Sequence, residues 1–494
     1  MVLKILAAAV SAFPQLQDTS YTVPAAATLI ALLATHRIAQ GRATTRERDL
    51  HARVVVLTVR RPQLLQSSAA HSPPLGLTLL EDLAKRGAHV IALSPYPIES
   101  ERVATYIDLL RSVTGNENIW AEECDLESPP SIHAFAKRFV LGPNGDGAQA
   151  TGPGGQDRRL DALVCAHEYA GVGALPVFSA RGNRDRAQNE RDTRALATFL
   201  LTTLLLPAML TAPAERDIRI VNVVNRFYAA AVPRFFSDAK YLFAEDSTTT
   251  SAPNASSSPL LPEATRALRT VLLTRHLQRV LDALPSAPPV VDPSAPPAAP
   301  TPASGKKPQQ KSNIVAISVS PGLSRAETVG PLFGAGASDG WGFGRLVYIL
   351  LLPLWFLFSK SAAASVQSVL HVLFLPTPSK ISKSSAEKPD PLAEPEEALK
   401  PGALYAECAV VRVDVPPPEK GKEKDGAGDG DGIVPEDDGE LGGERAGRAV
   451  WEAYERGLKA WEGRWDAEAY AQASERTDPR SRPSAATRDG SVAG

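Results

Sequence analysis

The sequence predicts an α/β protein, built as a doubly wound parallel sheet with disordered insertions and a C-terminal helical extension. From about residue 54, short apolar runs alternate with segments of helical period, which is typical of βαβ units around a parallel sheet. Two stretches, 244–259 and 285–312, interrupt this alternation with compositions that do not support a packed core. Because the 494 residues include 42 prolines and 35 glycines, unevenly spread, less of the chain is globular than its length suggests.

The predicted elements follow one another in the order that such a fold requires. Short continuous apolar runs indicate buried strands, and apolar residues three and four apart indicate helices. The strands are predicted at 54–59, 89–93, 119–124, 160–165, 219–224 and 314–319, with a further strand at 409–413. The helices between them are predicted at 75–86, 99–114, 132–139, 193–210 and 262–284.

The N-terminal residues 1–50 form an extension in this interpretation. An apolar stretch at 23–34 has 12 residues, and a bilayer-spanning helix needs roughly 20. It is therefore expected to be a helix packed on the domain or a weak membrane anchor. The first 18 residues lack a convincing cleavage site, so no signal peptide is expected.

The domain itself is predicted at 51–375, followed by a linker at 376–400 and a closing strand and helix within 401–467. Within the last part, the acidic, glycine-rich residues 416–445 are expected to be disordered, as is the tail 468–494. The closing helix, 444–465, carries an aromatic and apolar stripe at helical spacing. Packing on the sheet edge is the favoured interpretation of this stripe, and a surface for a partner helix is the alternative; its members are Trp451, Tyr454, Leu458, Trp461 and Trp465.

Composition excludes several classes of function. The formal net charge is −2 and the isoelectric point is about 6.5, so no nucleic-acid partner is expected. The cysteines Cys124, Cys165 and Cys408 form no CxxC pair, and the first two are predicted to be buried, reduced thiols. The eight histidines show no helical pair spacing, so no metal site is predicted.

Several polar and glycine-containing segments follow the predicted strands at the places where a dinucleotide-binding sheet needs them. On these segments, residues 54–328 resemble the short-chain dehydrogenase/reductase family, of fungal type, and residues out to 465 resemble its retinol-dehydrogenase-like members more loosely. The resemblance implies a Rossmann-like fold and NADP or NAD as cofactor. The positions that carry it are Thr58, Gly76, Asp125, Leu126, Ser320, Pro321, Gly322 and Thr328.

The resemblance assigns cofactor roles to these positions. Thr58 and Gly76 match the ends of the family's glycine-rich turn, but the residues between them lack glycine, so Arg60 is the candidate for phosphate binding by charge, with a solvated loop arginine as the alternative. Ser94 replaces the acid that would hold the ribose in an NAD-specific member, which favours NADP. The remaining assignments are Asp125 and Leu126 at the adenine, the former alternatively a cap for the next turn, and Pro321, Gly322 and Thr328 at the nicotinamide.

The family's catalytic asparagine, serine, tyrosine and lysine do not stand at their aligned positions, which fall on Arg194, Asn225, Glu263 and Ala267. Tyr241, 16 residues after Asn225, is the other candidate for the acid. The catalytic candidates are therefore Asn225 and Tyr241.

Two adjacent residues after the fourth predicted strand, His167 and Glu168, were also considered as an acid/base pair. Adjacent residues at a strand end are expected to point to opposite sides. A shared site for the two side chains is therefore not predicted.

Residues 346–358 are 13 consecutive apolar residues between Arg345 and Lys360. Three interpretations stay open: the segment lines a lipid-substrate pocket, lies in one membrane leaflet as a peripheral contact, or forms a core helix. Pro353 predicts a broken helix.

The function expected from the resemblance is that of an NAD(P)-binding oxidoreductase relative with non-standard catalytic residues, acting on an apolar carbonyl or alcohol at a membrane surface. The alternative is a catalytically inactive scaffold or lipid-binding module at a membrane. Either protein is expected inside the cell, at the endoplasmic reticulum membrane or a lipid-droplet surface. The sequence carries no signal for an oligomeric state.

Overall fold

The computed structural model describes residues 19–59, 74–141, 159–170, 172–178, 181–211, 216–234, 260–284, 312–335, 342–378, 397–413 and 440–477. Of the predicted site residues, Arg60 and Tyr241 lie outside these ranges. The segments 244–259 and 285–311 and most of 416–445 also lie outside them.

An eight-stranded sheet runs through the centre of the molecule in the order β3-β2-β1-β4-β5-β6-β7-β8. The first seven strands are parallel, and β8 pairs antiparallel with β7. This order confirms the predicted doubly wound, Rossmann-like sheet. The strands are β1 Val54–Thr58, β2 His89–Ser94, β3 Ile119–Glu123, β4 Ala162–Cys165, β5 Ile218–Val223, β6 Ile314–Ser320, β7 Leu404–Ala406 and β8 Ala409–Val411.

Helices cover both faces of the sheet, which explains why β4, β5 and β6 are buried along their whole length. One face packs against α2, α3 and α9, and the other packs against α4, α5 and α6. The helices are α1 Thr19–Gln40, α2 Leu75–Lys85, α3 Glu101–Thr114, α4 Pro129–Leu141, α5 Arg181–Leu210, α6 Leu261–Ala283, α7 Phe343–Leu350, α8 Leu352–Phe358, α9 Ala362–Phe374 and α10 Gly443–Thr477.

Strand β7 and helix α9 were not predicted from the sequence. With three residues, β7 is too short to show a period, and it is defined by its register against β6. Glu407 and Cys408 have φ angles of 53° and 57°, and positive φ at both central residues is what a tight hairpin turn with the right strand twist requires. The turn aligns β8 with β7 and ends the sheet.

The closing helix α10 packs over α5 and α6 rather than on the sheet edge. Tyr454 and Trp461 are buried, and Trp451 meets Phe199 edge-on at 5.0 Å between ring centroids. Trp465, the last member of the stripe, is 36% exposed. The helix continues to Thr477, beyond the predicted end, because its polar last turns need no partner surface.

An ion-pair network fastens the N-terminal extension to the amino end of the sheet. Both guanidinium NH groups of Arg48 donate to the Asp217 carboxylate, at 2.8 and 2.9 Å. Arg53 donates to Asp161 at 2.9 Å. Both carboxylates are buried, so these pairs are partly shielded from solvent and hold residues 48–53 in place.

Candidate functional site

The predicted site residues that the structure describes lie at the carboxyl end of the parallel strands. Thr58 ends β1, Ser94 ends β2 and Asp125 follows β3, whereas Asn225 follows β5 and Gly322 follows β6. In doubly wound sheets, ligands bind at this carboxyl end of the strands, next to the point where the strand order reverses. We call this end of the sheet the edge below. The fold therefore gathers the candidate residues at one edge.

Asn225 and Glu263, the residues at the family's serine and tyrosine positions, meet directly. The Asn225 amide donates to Glu263 Oε1 at 2.8 Å, and both side chains are buried. Arg266 donates to the other carboxylate oxygen at 2.8 Å, and Arg191 Nε lies 3.2 Å from the same oxygen. Two guanidinium groups and one amide thus engage the Glu263 carboxyl group at the position where the family has a tyrosine hydroxyl.

The backbone around this ion-pair cluster is adapted to the arginines. A Cβ added to Gly173 would lie 2.6 Å from a terminal nitrogen of Arg191, so only glycine lets the guanidinium approach there. Arg266 also donates to Asp192 at 3.1 Å. At the lysine position, Ala267 is buried in the apolar cluster between α5, α6 and α10 and supplies no charge.

The predicted separation of His167 and Glu168 is wrong, because both reach the hydroxyl of Thr198. His167 Nε2 is 3.1 Å from Thr198 Oγ1, and Thr198 donates to Glu168 Oε1. The two residues follow the end of β4 in a turn, so they do not alternate as residues of a strand do.

Burial keeps His167 neutral. Its pKa is lowered to about 4 because burial penalises the charged ring. The Nε2 atom lies 3.1 Å from the Arg194 carbonyl, which can only accept, so Nε2 carries the proton and Nδ1 accepts from the Thr58 hydroxyl at 2.7 Å. Thr58 is therefore engaged by the protein itself.

Glu168 is held at the other end of this chain of hydrogen bonds. Thr270 donates to its Oε2 at 2.8 Å, and the Thr270 hydroxyl lies 3.4 Å from that of Tyr454. Burial raises the pKa of the Glu168 carboxyl, although hydrogen bonds from Thr198 and Thr270 oppose the shift. Among the described residues of this edge, it is the carboxyl group best placed to hold a proton.

Tyr169 was missed by the sequence reasoning and lies at the centre of the edge. Its hydroxyl donates to the Gly322 carbonyl at 2.9 Å and accepts from the Ser324 amide at 3.2 Å. Thr328 Oγ1 also donates to it at 3.4 Å. The side chain is completely buried. An aromatic residue four positions after a strand is no signal by itself, so only the fold reveals this contact.

The candidate residues at the adenine end differ from one another in burial, and the side-chain hydrogen bonds of Ser94 and Asp125 are to nearby backbone amides. Ser94 is buried and its hydroxyl accepts from the Tyr96 amide at 3.1 Å. Asp125 accepts from the Glu127 amide at 3.1 Å, as its alternative interpretation as a turn cap predicts. Asp125 is only partly buried, whereas Leu126 packs in the core. Gly76 is buried in the first turn of α2.

A dinucleotide therefore fits these residues only in part. The partly exposed carboxylate of Asp125 suits the amino group of an adenine. At the opposite end, the groups assigned to the nicotinamide, those of Gly322 and Thr328, are already bonded to Tyr169. Pro321 is buried beside them. The groups that the resemblance assigns to the nicotinamide are thus engaged by Tyr169.

Helices α1, α7 and α8 form an exposed apolar surface next to this edge. Leu350, Phe343 and Ile30 are 79%, 70% and 66% exposed. A core helix, one of the three interpretations of 346–358, is excluded by this exposure. The apolar surface consists of Leu29, Ile30, Leu32, Leu33, Phe343, Leu346, Ile349, Leu350, Leu352, Leu354, Phe356 and Phe358.

The helix break at Pro353 is confirmed. Helix α7 ends at Leu350 and α8 begins at Leu352, with Pro353 in its first turn, where the missing N–H costs no hydrogen bond. The break turns the chain, so that both short helices contribute to the apolar surface.

Side-chain contacts join α1 to α8. The His36 ring stacks on Phe356 with 5.4 Å between centroids. The Gln40 amide donates to the Ser359 carbonyl at 3.2 Å and accepts from the Ser361 amide at 3.0 Å. Two segments that are 300 residues apart in sequence therefore form one surface.

Phe333 connects this surface to the site. Its ring lies 5.2 Å from Phe178, in the loop after β4, and 5.3 Å from Trp355 on α8. It also lies 6.5 Å from Tyr348 on α7. The loop that carries Tyr169 and the apolar helices thus pack against the same ring.

Within the described ranges, one helical segment, Gln188–Leu210 of α5, is long and apolar enough to cross a membrane, and 56% of its most apolar stretch is buried inside the protein. Leu201 and Leu205 of this segment are fully buried under the sheet, which is typical of a core helix. The same described residues contain no group of three potential metal ligands.

No family model matches the chain. It is 26% identical over 338 residues to the uncharacterized oxidoreductase pbr1 of Schizosaccharomyces pombe, covering 68% of this chain and 73% of that protein. It is also 26% identical over 345 residues to the uncharacterized oxidoreductase YNL181W of Saccharomyces cerevisiae, covering 68% and 71%. Identity to the human polyprenol dehydrogenase is 27% over 224 residues, covering 45% and 57%.

Solved structures of short-chain dehydrogenases are similar at lower identity. A short-chain oxidoreductase from Pseudomonas aeruginosa with an atypical catalytic center is 15% identical with a TM-score of 0.39, covering 73% of this chain and 97% of that one. The NADP active-site complex of RhlG, also from Pseudomonas aeruginosa, is 15% identical with a TM-score of 0.35, covering 65% and 90%.

Proposed function

We propose that this chain, a divergent short-chain dehydrogenase/reductase, holds a long-chain apolar alcohol or carbonyl at a membrane surface without transferring hydride to or from it. The observation that carries the proposal is the exposed apolar surface of α1, α7 and α8, beside an edge whose catalytic position holds an ion-paired glutamate. We thus infer that the chain contacts a membrane, that it binds a lipid there, and that it does not catalyse hydride transfer.

The composition of the apolar surface favours a bilayer as its partner. Residues 19–36 contain no aspartate, glutamate, lysine or arginine, and residues 342–359 contain only Arg345 of these four types. Twelve exposed leucine, isoleucine and phenylalanine side chains in three helices exceed the scattered exposure that is normal for soluble proteins. Helices α7 and α8, with eight and seven residues, are too short to span a bilayer, so we infer that they lie in its interfacial plane.

The ligand is inferred from the neighbourhood of this surface. Phe178, Phe333 and Trp355 lead from the apolar helices towards the loop of Tyr169, and aromatic walls suit an apolar ligand that enters from the bilayer. The human relative acts on a polyprenol, as its name states. A polyprenol-type alcohol or its carbonyl counterpart is therefore the ligand class we infer. The endoplasmic reticulum membrane and the lipid-droplet surface are locations consistent with such a ligand.

Glu263 argues against standard hydride chemistry. Reduction of a carbonyl needs an acid that gives a proton to the oxygen. Glu263 is buried, and its carboxyl oxygens are engaged by Arg266, Arg191 and the Asn225 amide, so we infer that it does not serve as this acid. Ala267 supplies no cation nearby.

A second candidate function is oxidoreductase activity with non-standard residues and NADP or NAD as cofactor. Two observations favour it: two relatives are named as oxidoreductases, and burial raises the pKa of Glu168. A protonated Glu168 would be a proton donor at the same edge. Asn225 and Tyr241 remain the catalytic candidates of this alternative.

Flotation of the purified full chain with neutral phosphatidylcholine vesicles tests the proposed membrane contact. We expect the wild type to float, and the double variant Phe343→Asp/Leu350→Asp to bind at least tenfold more weakly, because each charge would be buried in the acyl region.

The matched control is Leu109→Asp/Val113→Asp, which changes two exposed apolar residues of α3 at the opposite edge of the sheet. It should float like the wild type. Equal flotation of the α7 variant and the wild type would contradict the proposed contact.

A further inference from the structure

We propose that Tyr169 permanently occupies the nicotinamide end of the cleft, so that this chain binds nucleotides through their adenylate half alone. The inference goes beyond the proposed function, because it concerns a second ligand class, an adenosine diphosphate without the need for a redox ring. It rests on the hydrogen bonds between Tyr169, in the loop after β4, and the turn after β6, and it does not rest on the apolar surface.

The Tyr169 hydroxyl uses all the hydrogen-bonding groups that the turn after β6 presents at this point. It donates to the Gly322 carbonyl, and it accepts from the Ser324 amide and the Thr328 hydroxyl. A primary carboxamide would need the same kinds of partner, an acceptor for its NH₂ group and donors for its oxygen. The phenol and a nicotinamide amide therefore compete for one set of groups.

The turn itself is fixed around the tyrosine. Gly322 has a φ angle of 101°, and a Cβ there would lie 3.1 Å from the side chain of Lys360, so the backbone is confined on its far side. Lys360 is buried and pairs with Glu407 at 2.6 Å. Lys360 also accepts from the Arg325 amide at 3.2 Å through its carbonyl. The turn after β6 is therefore packed between Tyr169 on one side and Lys360 on the other.

Burial holds the Tyr169 ring in this position. The side chain is completely buried, and burial raises the pKa of its hydroxyl to about 12. The hydroxyl therefore stays protonated at neutral pH and keeps donating to the Gly322 carbonyl. Releasing the ring would expose its apolar face and leave the Gly322, Ser324 and Thr328 groups without this partner, which is unfavourable for buried polar groups.

The adenylate end is open by comparison. Asp125 follows β3 with a partly exposed carboxylate, and Ser94 ends the neighbouring strand. A carboxylate can accept from an adenine amino group, and the Asp125 carboxylate is partly exposed, whereas Tyr169 is completely buried. The structure therefore assigns nucleotide binding to this half of the edge.

Calorimetric titration of the full chain with NADPH and with 2′-phospho-ADP-ribose, called ADP-ribose below, which lacks only the nicotinamide ring of NADPH, tests the inference. We expect the wild type to bind the two ligands within threefold of each other, because the nicotinamide finds no site. Tyr169→Ala should bind NADPH at least tenfold more tightly than the wild type does, with its affinity for ADP-ribose unchanged.

Tyr169→Phe is the matched control. It keeps the ring and removes only the hydroxyl, so it should not gain affinity for NADPH. If Tyr169→Ala fails to fold, as judged by thermal unfolding, Tyr169→Leu replaces it, because leucine fills less of the cleft and remains apolar.

Three results would overturn the inference. The first is that the wild type binds NADPH at least tenfold more tightly than ADP-ribose. The second is that neither Tyr169→Ala nor Tyr169→Leu gains affinity for NADPH. The third is that none of these proteins binds a nucleotide. None of these results affects vesicle flotation, which is measured without nucleotide, so failure here is distinct from failure of the proposed membrane function.

Discussion

Glu263 shows how one substitution changes what a familiar edge of a sheet can do. Its carboxylate replaces a hydroxyl that would be neutral, and the fold compensates with Arg266, Arg191 and the Asn225 amide. A buried carboxylate without such partners would be strongly destabilising. The arginines make the glutamate tolerable and at the same time make it unsuitable as an acid.

His167 gives the free energy of unfolding a defined pH dependence. Its pKa is about 4 in the folded protein and 6.5 for an exposed imidazole. Between these values the unfolded chain binds more protons, so stability is complete above pH 6.5 and is lost as the pH falls towards 4. The difference in pKa corresponds to a loss of about 3 kcal/mol.

Urea unfolding of the wild type and of His167→Gln between pH 7 and pH 4 measures this contribution. The variant lacks the titrating ring, so the stability advantage of the wild type should shrink by about 3 kcal/mol over the range. Glu168, whose pKa is raised, titrates in both proteins and cancels in the difference. An advantage that stays constant with pH would show that His167 is not held neutral by the fold.

The sequence was sufficient to align Asn225 and Glu263 with the family's serine and tyrosine positions, because each is counted from a clearly periodic element, β5 and α6, but it did not predict their contact. It was insufficient for Tyr169 and for the convergence of His167 and Glu168 on Thr198. Those contacts depend on the course of a loop after β4, where no period exists to count along. Loop side chains that meet across strands are set by tertiary packing alone.

At the scale of elements, the helix α10 closes the molecule by covering α5 and α6. Trp461 is buried in the cluster under α4 and α5, whereas Trp465, one turn later, is 36% exposed. Replacing either tryptophan by alanine changes the intrinsic helix propensity by the same amount. A difference in stability between the two variants therefore measures the packing of Trp461.

Thermal and urea unfolding of Trp461→Ala and Trp465→Ala test whether α10 is part of the cooperative fold. Trp461→Ala should lower the free energy of unfolding by about 3–5 kcal/mol, because it leaves a large cavity between packed helices. Trp465→Ala should cost less than about 1 kcal/mol, in line with a surface substitution. Equal, small effects of both would mean that α10 docks only loosely.

Elements with a regular spacing of apolar residues were predicted well. Elements that are too short to show such a spacing, or whose apolar residues follow no clear spacing, were not. The six long strands of the sheet agree with their predictions to within two residues. Strand β7, with three residues, became visible only through its pairing with β6, and helix α9 only through its packing in the core. In α5, the polar first turns concealed a start twelve residues before the predicted one.

At the scale of the whole molecule, the apolar surface could be predicted only in parts. The sequence shows two short apolar segments, each open to several interpretations, and neither segment reveals the other. The stacking of His36 on Phe356 and the hydrogen bonds of Gln40 join them. Together they form the exposed apolar surface that we propose contacts a bilayer, beside the carboxyl end of the strands that carries Tyr169 and Glu263.

The most direct measurement of the central claim is the fate of a radiolabelled polyprenol incubated with the full chain, NADP⁺ or NAD⁺, and phosphatidylcholine vesicles. After extraction and chromatography, we expect protein-bound lipid to be recovered as the unchanged alcohol, with no NADPH or NADH formed. Conversion of the alcohol to the aldehyde with an equal amount of reduced cofactor would contradict the claim and establish the second candidate function.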